Sequence, residues 1–165
     1  MLTVRSITAL EWKKYREIRL RALKESSEAF GSTWDAEVLR PDETWSARTQ
    51  ESALGQTGRG FFALDGALPC GIVWCLLSDL EPDTAHIYGM WVDPALRGQG
   101  VGRALLAECI AWAKRKEAHC IRLGVTVADS PAMHMYQSQG FCPVGDPELL
   151  RPGSTLMAQA MALRI

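Results

Sequence analysis

Met90-Trp91-Val92-Asp93-Pro94-Ala95-Leu96-Arg97-Gly98-Gln99-Gly100-Val101-Gly102 joins a half-buried apolar run to a glycine-rich turn, and a helical pattern begins at Arg103. A glycine-rich turn that opens a helix presents unpaired backbone N–H groups with no side chains in front of them and the positive end of the helix dipole behind. That combination attracts an anion, phosphate above all. Alone the pattern is weak, since residue usage produces an Arg or Gln, two residues of any kind, Gly, any residue, then Gly or Ala by chance in roughly one chain in six or seven of this length. Two rival readings fail on inspection. The dinucleotide fingerprint G-x-G-x-x-G needs a third glycine where Arg103 stands, and no G-K-[ST] follows as a nucleotide-triphosphate loop requires. A different phosphate-bearing group is favoured.

The whole chain sets the bounds. Its 165 residues, 47% hydrophobic and 22% charged, suffice for one domain with a sizeable core. A formal net charge of −1 gives no bulk attraction to nucleic acid or to an anionic membrane, so neither is expected as a partner. The five cysteines (Cys70, Cys75, Cys109, Cys120, Cys142) are odd in number, form no C-x-x-C pair and read as reduced residues. No run approaches the about 18 apolar residues needed to cross a bilayer, and Met1 to Arg5 lacks the apolar run of a signal peptide; the expected location is the cytoplasm.

Along the chain, Leu2 to Ser6 reads as a strand, and Thr8 with Glu11 as a capping box. Trp12, Tyr15, Ile18, Ala22 and Leu23 then recur at helical spacing, with Lys13, Lys14, Glu17, Arg21 and Lys24 as a solvated face. After the aromatic-rich break at Ala29 to Trp34, a second helix starts near Pro41 and runs to about Gln50. Gln56 to Gly60 reads as a loop before a hairpin, Phe61 to Leu64 and Gly71 to Leu80, turned at Asp65-Gly66. A further strand, Ala85 to Val92, places His86, Tyr88, Met90 and Val92 on one face by its period of two, and Gly89 inside it suggests a bulge. Val101, Leu105, Cys109 and Trp112 form the stripe of a helix; Cys120 to Val127 is a strand; Ser130-Pro131 caps and starts a short helix closed by Gly140; strands at Phe141 to Val144 and Thr155 to Arg164 finish the order.

At this point a family resemblance enters. Met90 to Pro94 followed by Arg97 to Gly102, together with Asp129-Ser130-Pro131-Ala132-Met133-His134-Met135-Tyr136 and Gly140-Phe141, resembles the two signatures of the GNAT superfamily of acetyl-CoA-dependent N-acetyltransferases, in the right order and separation. The resemblance implies an α/β fold of mixed α+β type: a single N-acetyltransferase domain over residues 1–165, built on a mostly antiparallel sheet of roughly six to seven strands splayed after the fourth and flanked by about four helices. It implies acetyl-CoA as cofactor, its pyrophosphate on the amides of Arg97, Gly98, Gln99, Gly100, Val101 and Gly102, and its pantetheine arm beside Met90, Trp91 and Val92. Tyr136 matches the family's acid. His86 and Tyr88 resemble the paired histidines of serotonin N-acetyltransferase with tyrosine in the second place, which makes His86 the candidate base; Glu81 or Asp83 acting through water competes. No metal is needed.

Two departures carry information. Ribosomal-type N-terminal acetyltransferases have a base glutamate where this chain has Gly124, and Asp129 stands where the family has asparagine, so it either meets the cofactor as a carboxylate or caps the next helix. The expected acceptor is therefore a primary amine of a small molecule, with Phe30, Trp34, Tyr88 and the Asp146 to Ser154 loop as walls, and a homodimer is compatible with this reading. Acetylation of protein lysine or N-terminal amines, and a non-catalytic acyl-CoA-binding module, are the alternatives.

Overall fold

The computed structural model describes all 165 residues. Strand β1 (Leu2–Ser6) leads into α1 (Trp12–Glu25), a 3-10 turn at Ser27–Ala29, the single-turn α2 (Trp34–Glu37) and α3 (Asp42–Leu54). Strands β2 (Gly58–Asp65), β3 (Leu68–Leu77) and β4 (Thr84–Val92) form an antiparallel meander, and a 3-10 turn at Pro94–Leu96 precedes α4 (Val101–Arg115). Then come β5 (Cys120–Thr126), α5 (Pro131–Ser138), two-residue strands β6 (Cys142–Pro143) and β7 (Glu148–Leu149), and β8 (Met157–Arg164). The sheet order is β1-β2-β3-β4-β5-β8-β6, with β7 also on β8. Eight strands and five α-helices thus exceed the expected numbers only by elements of two to four residues.

Two apolar clusters sandwich the sheet. On one face α4 buries Val101, Leu105, Cys109 and Trp112 against Phe61, Ala63, Val73, Cys75, Ala85 and Ile87. The opposite face takes α1 and α3, where Tyr15, Ile18, Leu23 and Trp45 meet Phe62, Leu64, Ile72 and Trp91. Alternation along β2 and β3 sends successive side chains to the two clusters, as a strand buried on both faces must. Buried hydroxyls tie α3 down: Thr49 donates to the Ala9 carbonyl, while Ser52 accepts from the Gly60 N–H. Half of the capping box at α1 forms, with Glu11 accepting from the Thr8 N–H at 2.9 Å and pairing with Arg5, whose hydrogen bond holds the carboxyl at a pKa of about 2.

The joint between β4 and β5 positions everything that follows. These strands run parallel but pair only at Thr84, Ala85 and His86 with Cys120, Ile121 and Arg122; beyond that point they part, while β5 stays paired with β8 along its whole length. On the other side of β4 the register with β3 jumps from Trp74 opposite Tyr88 to Ile72 opposite Trp91, so Gly89 and Met90 face the single residue Val73. This is the expected bulge, and Gly89 makes it at φ +62, a conformation costly for a residue with a Cβ. The extra residue reverses the alternation. His86 and Tyr88 lie on the α1 face, whereas Met90 and Val92 pack against the α4 cluster and Trp91 turns to the α1 cluster. The single face predicted for all four is corrected accordingly.

Replacing Gly89 by alanine forces a side chain into the left-handed region and puts its Cβ 3.2 Å from Arg19 Nη1. Gly89→Ala is expected to lower stability by about 1–2 kcal/mol, read as a shifted urea midpoint; an unchanged midpoint would show that the bulge is not held in this conformation.

Candidate functional site

At the turn before α4, the N–H groups from Gly98 to Arg103 have no acceptor in the protein, whereas the Arg97 N–H, expected among the open amides, closes the preceding 3-10 turn on the Pro94 carbonyl at 3.4 Å; the first bond of the helix is Ala104 N–H to the Gly100 carbonyl at 3.1 Å. Gly98 and Gly100 both have positive φ (+80 and +83), and a Cβ built on either would meet nothing within 4 Å, so the concave front of the turn is open. The positive end of a 15-residue helix stands behind these donors. An anion with several oxygens, such as a diphosphate, is the natural complement.

The turn is held from behind. Arg97 folds back, its Nε donating to the Val92 carbonyl at 3.0 Å and its Nη2 to Glu25 at 2.9 Å. Glu25, the last residue of α1, also accepts from Trp91 Nε1 at 2.8 Å and from the Ser26 hydroxyl. Burial opposes the charge on Glu25, but these donors outweigh it and keep its carboxyl below the usual range. Asp93 is lowered by the Ala95 N–H and by Arg21, whose guanidinium also lies over the Trp91 ring at 5.1 Å. Because both carboxyls are depressed, the ties are complete at neutral pH and are lost as the pH falls through the lowered values. Arg21, read from sequence as part of a solvated face, is an anchor of the loop.

Where β4 leaves β5, the edge of β4 from Ile87 to Val92 faces the open edge of β5 from Leu123 to Thr126. An extended amide-bearing chain can be received there as an added strand. On the α1 face of this gap the His86 and Tyr88 rings stack with centroids 6.0 Å apart. His86 pairs in register with Arg122, and Arg122 bonds both oxygens of Glu81 at 2.9 Å, which engages that carboxylate. Gly124, also on β5, is exposed, and a Cβ there would meet nothing within 4 Å.

The remaining expected residues are distributed as follows. Tyr136 on α5 is buried in the α4 cluster, edge-on to Phe141 with centroids 5.7 Å apart. Burial, with a smaller contribution from Cys109, pushes its phenol well above the ordinary value. Ser130, not Asp129, caps α5 by accepting from the Met133 N–H, while exposed Asp129 pairs with His134. Phe30 is buried, and Arg151 reaches from the loop after β7 to donate to the Ser27 and Phe30 carbonyls at 3.1 and 2.7 Å. Thr126 at the end of β5 donates to the Glu28 carbonyl, so the segment after α1 bridges the gap between the parted strands. Trp34 is half-buried beside α1, with Lys24 Nζ 4.9 Å from its ring.

Sequence patterning did not single out Arg19 or Glu37. Glu37 is 1% exposed and is met by Arg19 through Nε and Nη2 at 3.3 and 2.8 Å, with Arg48 and Arg40 at 3.8 and 4.0 Å. The partners lie 18 residues apart on two helices, a separation at which no local pattern links them.

Comparison with known proteins follows the same line. The model of the acetyltransferase (GNAT) family matches residues 12–141. An uncharacterized N-acetyltransferase of Methanocaldococcus jannaschii is 34% identical over 87 residues, 50% of this chain and 38% of that protein. Mycothiol acetyltransferase of Propionibacterium freudenreichii is 31% identical over 116 residues, 65% of this chain and 36% of that protein. The chain therefore spans well under half the length of these two relatives. A GNAT-family acetyltransferase from Streptococcus pneumoniae shares the fold, with TM-score 0.85, 18% identity and full coverage of both chains. Acetyl-CoA is the donor used by GNAT acetyltransferases, and the residues here fit it: unpaired amides and open glycines for the diphosphate, and a free strand edge for an amide-bearing arm.

Glu25→Ala removes the acceptor shared by Trp91 and Arg97 without touching the open amides. Loss of charge-assisted bonds of this kind is expected to weaken acetyl-CoA binding about tenfold by calorimetry, with the circular dichroism spectrum retained. Unchanged affinity would show that the loop keeps its shape unaided.

Proposed function

The chain belongs to the acetyltransferase (GNAT) family, and from that premise we propose that residues 1–165 form a single domain that moves an acetyl group from acetyl-CoA to a primary amine of a small molecule, by direct attack in a ternary complex. The observation that carries the donor half is the juxtaposition of six unpaired amides, Gly98 to Arg103, with the free edge of β4. For the acceptor half, the segment after α1 and the loop after β7 are tied together by Arg151, and Phe30 in that segment is buried. This tie supports a small-molecule acceptor, since a polypeptide needs an open trench. Gly124 in place of a base glutamate points the same way.

Bound acetyl-CoA supplies a thioester carbonyl: the C–N bond to the amine forms, the C–S bond breaks, and the sulfur departs as thiolate. The protein's part is to supply donors, a base and exclusion of water. Backbone N–H groups of β4 beside the Gly89 bulge, within Met90 to Val92, donate to the carbonyl oxygen as charge gathers on it. His86, on the acceptor face, takes the proton lost by the amine. Tyr136 stays protonated across the neutral range because burial raises its phenol, so it donates a hydrogen bond to the departing sulfur. A phenol held this high makes full proton transfer to a thiol of ordinary pKa about 8.5 uphill, and the final proton then comes from solvent. Asp129, paired with His134 at the surface, is assigned no more than a peripheral contact with the cofactor.

Thiol release from acetyl-CoA, followed with pooled small amines and with pooled peptides, tests the assignment. Turnover of small amines is expected; turnover of peptides alone would overturn the small-molecule reading, and cofactor binding with no turnover would indicate a binding module. For Tyr136→Phe, kcat is expected to fall about 10–100-fold with acetyl-CoA affinity nearly kept, and an unchanged kcat would remove the hydroxyl from the chemistry.

A further inference from the structure

The guanidinium of Arg19 is incompletely used. Glu37 takes one fork of it, through Nε and Nη2. Nη1 is buried and has no partner. A guanidinium has five N–H donors in a rigid plane, so the fork taken by Glu37 leaves both N–H groups of Nη1 and one of Nη2 for a second planar oxyanion. Leaving a buried charged donor unmet costs its desolvation with no bond in return, so an acceptor that reaches Nη1 recovers that loss.

Charge in the cluster is unbalanced in the same sense. Arg19, Arg40 and Arg48 converge on Glu37 at 2.8, 4.0 and 3.8 Å, and none of the three has an ion pair with any other carboxylate. Tyr15 accepts from Arg48 at 3.2 Å and burial raises its phenol, while the neighbouring Trp45 and Trp74 indoles offer only N–H donors, so no further anion balances the cluster. Three cations therefore share one anion.

Position supplies the function. Nη1 lies 3.2 Å from where a Cβ of Gly89 would be, so the vacant donor sits on the α1 face of the β4 bulge, against the residue that frees Met90 to Val92. Under the acetyl transfer proposed above, on which this inference rests, the acceptor amine approaches from that face. The Phe30 ring lies over the guanidinium at 4.9 Å, and Arg151 holds the Phe30 backbone through its carbonyl at 2.7 Å, so the guanidinium sits against the expected acceptor wall.

We infer that the acceptor is an amino acid or a close relative, an amine carrying a carboxylate a few bonds away, and that Arg19 is the specificity residue that receives the carboxylate. The carboxylate on Arg19 fixes the amine over the thioester carbonyl. In the transfer step the amine nitrogen bonds to the acetyl carbon, the C–S bond breaks, the nitrogen's surplus proton leaves to the base, the sulfur gains a proton, and the carboxylate is unchanged.

The test uses the full chain with acetyl-CoA and matched acceptors: the common L-amino acids, the same compounds as carboxamides, the corresponding decarboxylated amines, and pooled peptides. At least one amino acid is expected to show kcat/KM about 30-fold or more above its carboxamide, a factor of the size that a charge-assisted bidentate contact supplies. Arg19→Lys keeps the charge beside Glu37 but not the fork, and is expected to shrink the ratio several-fold. In the double variant Arg19→Gln, Glu37→Gln, which leaves no stranded buried carboxylate, the ratio is expected to fall to near one, with acetyl-CoA binding by calorimetry reporting that the protein is folded. If carboxamides and plain amines are acetylated as well as the acids, the inference is overturned while small-amine acetylation stands. If only peptides are acetylated, or no acceptor is, both fall. A strong preference for the acid that survives in the folded double variant would remove Arg19 from the role.

Discussion

Backbone N–H groups withdrawn from a ladder or a helix must find an acceptor elsewhere, and this molecule withdraws them in two adjoining places. The parallel pairing of β4 with β5 stops after His86, which leaves the rest of β4 hydrogen-bonded on one side only. A few residues on, six consecutive amides at the start of α4 also lack partners. An exposed strand edge is ordinarily a liability that proteins cover or twist away. Here the edge lies inside the sheet, between strands that part, so access to it is limited to something slender enough to enter the gap. Together with the anion cradle at its end, that geometry is complementary to a long amide-bearing chain ending in a diphosphate.

Keeping the gap open requires that both walls be held from outside. On the β5 side, β8 pairs along the full strand, and β6 and β7 in turn pair with β8. On the β4 side, β3 pairs across the bulge, and the end of α1 reaches over to fix the turn through Glu25, Trp91 and Arg97. Thr126 and Arg151 then fasten the segment after α1 across the mouth of the gap. The proposed acceptor side is consequently assembled from α1, the segment after it and the loop after β7, pieces more than 100 residues apart in the chain.

That separation explains which parts of the molecule were legible in the amino-acid sequence. The stripe of α4 and the alternation of β2 and β3 follow from periods of 3.6 and 2, and Ser130-Pro131 states the start of α5 in two residues. The glycines of the turn before α4 mark themselves, because only they take positive φ there without strain. Period counting failed along β4: Gly89 was recognisable as a bulge, but the reversal of faces that a bulge imposes moved Met90 and Val92 away from His86 and Tyr88. The two-residue strands β6 and β7 are too short to carry any pattern. Arg19 and Glu37 were invisible for a different reason. On a helix rich in lysine and arginine, a basic residue that turns inward to a buried carboxylate has the same local spacing as one that points to water.

The amides themselves offer the most direct reading. In a 15N-labelled sample, backbone chemical shifts are recorded before and after addition of coenzyme A. The largest changes are predicted at Gly98, Gly100, Val101, Gly102 and Arg103, with a second group along Met90 to Val92. Changes confined to other surfaces, with these amides unmoved in a folded protein, would contradict the assignment of the parted strands and the open turn to the acetyl donor.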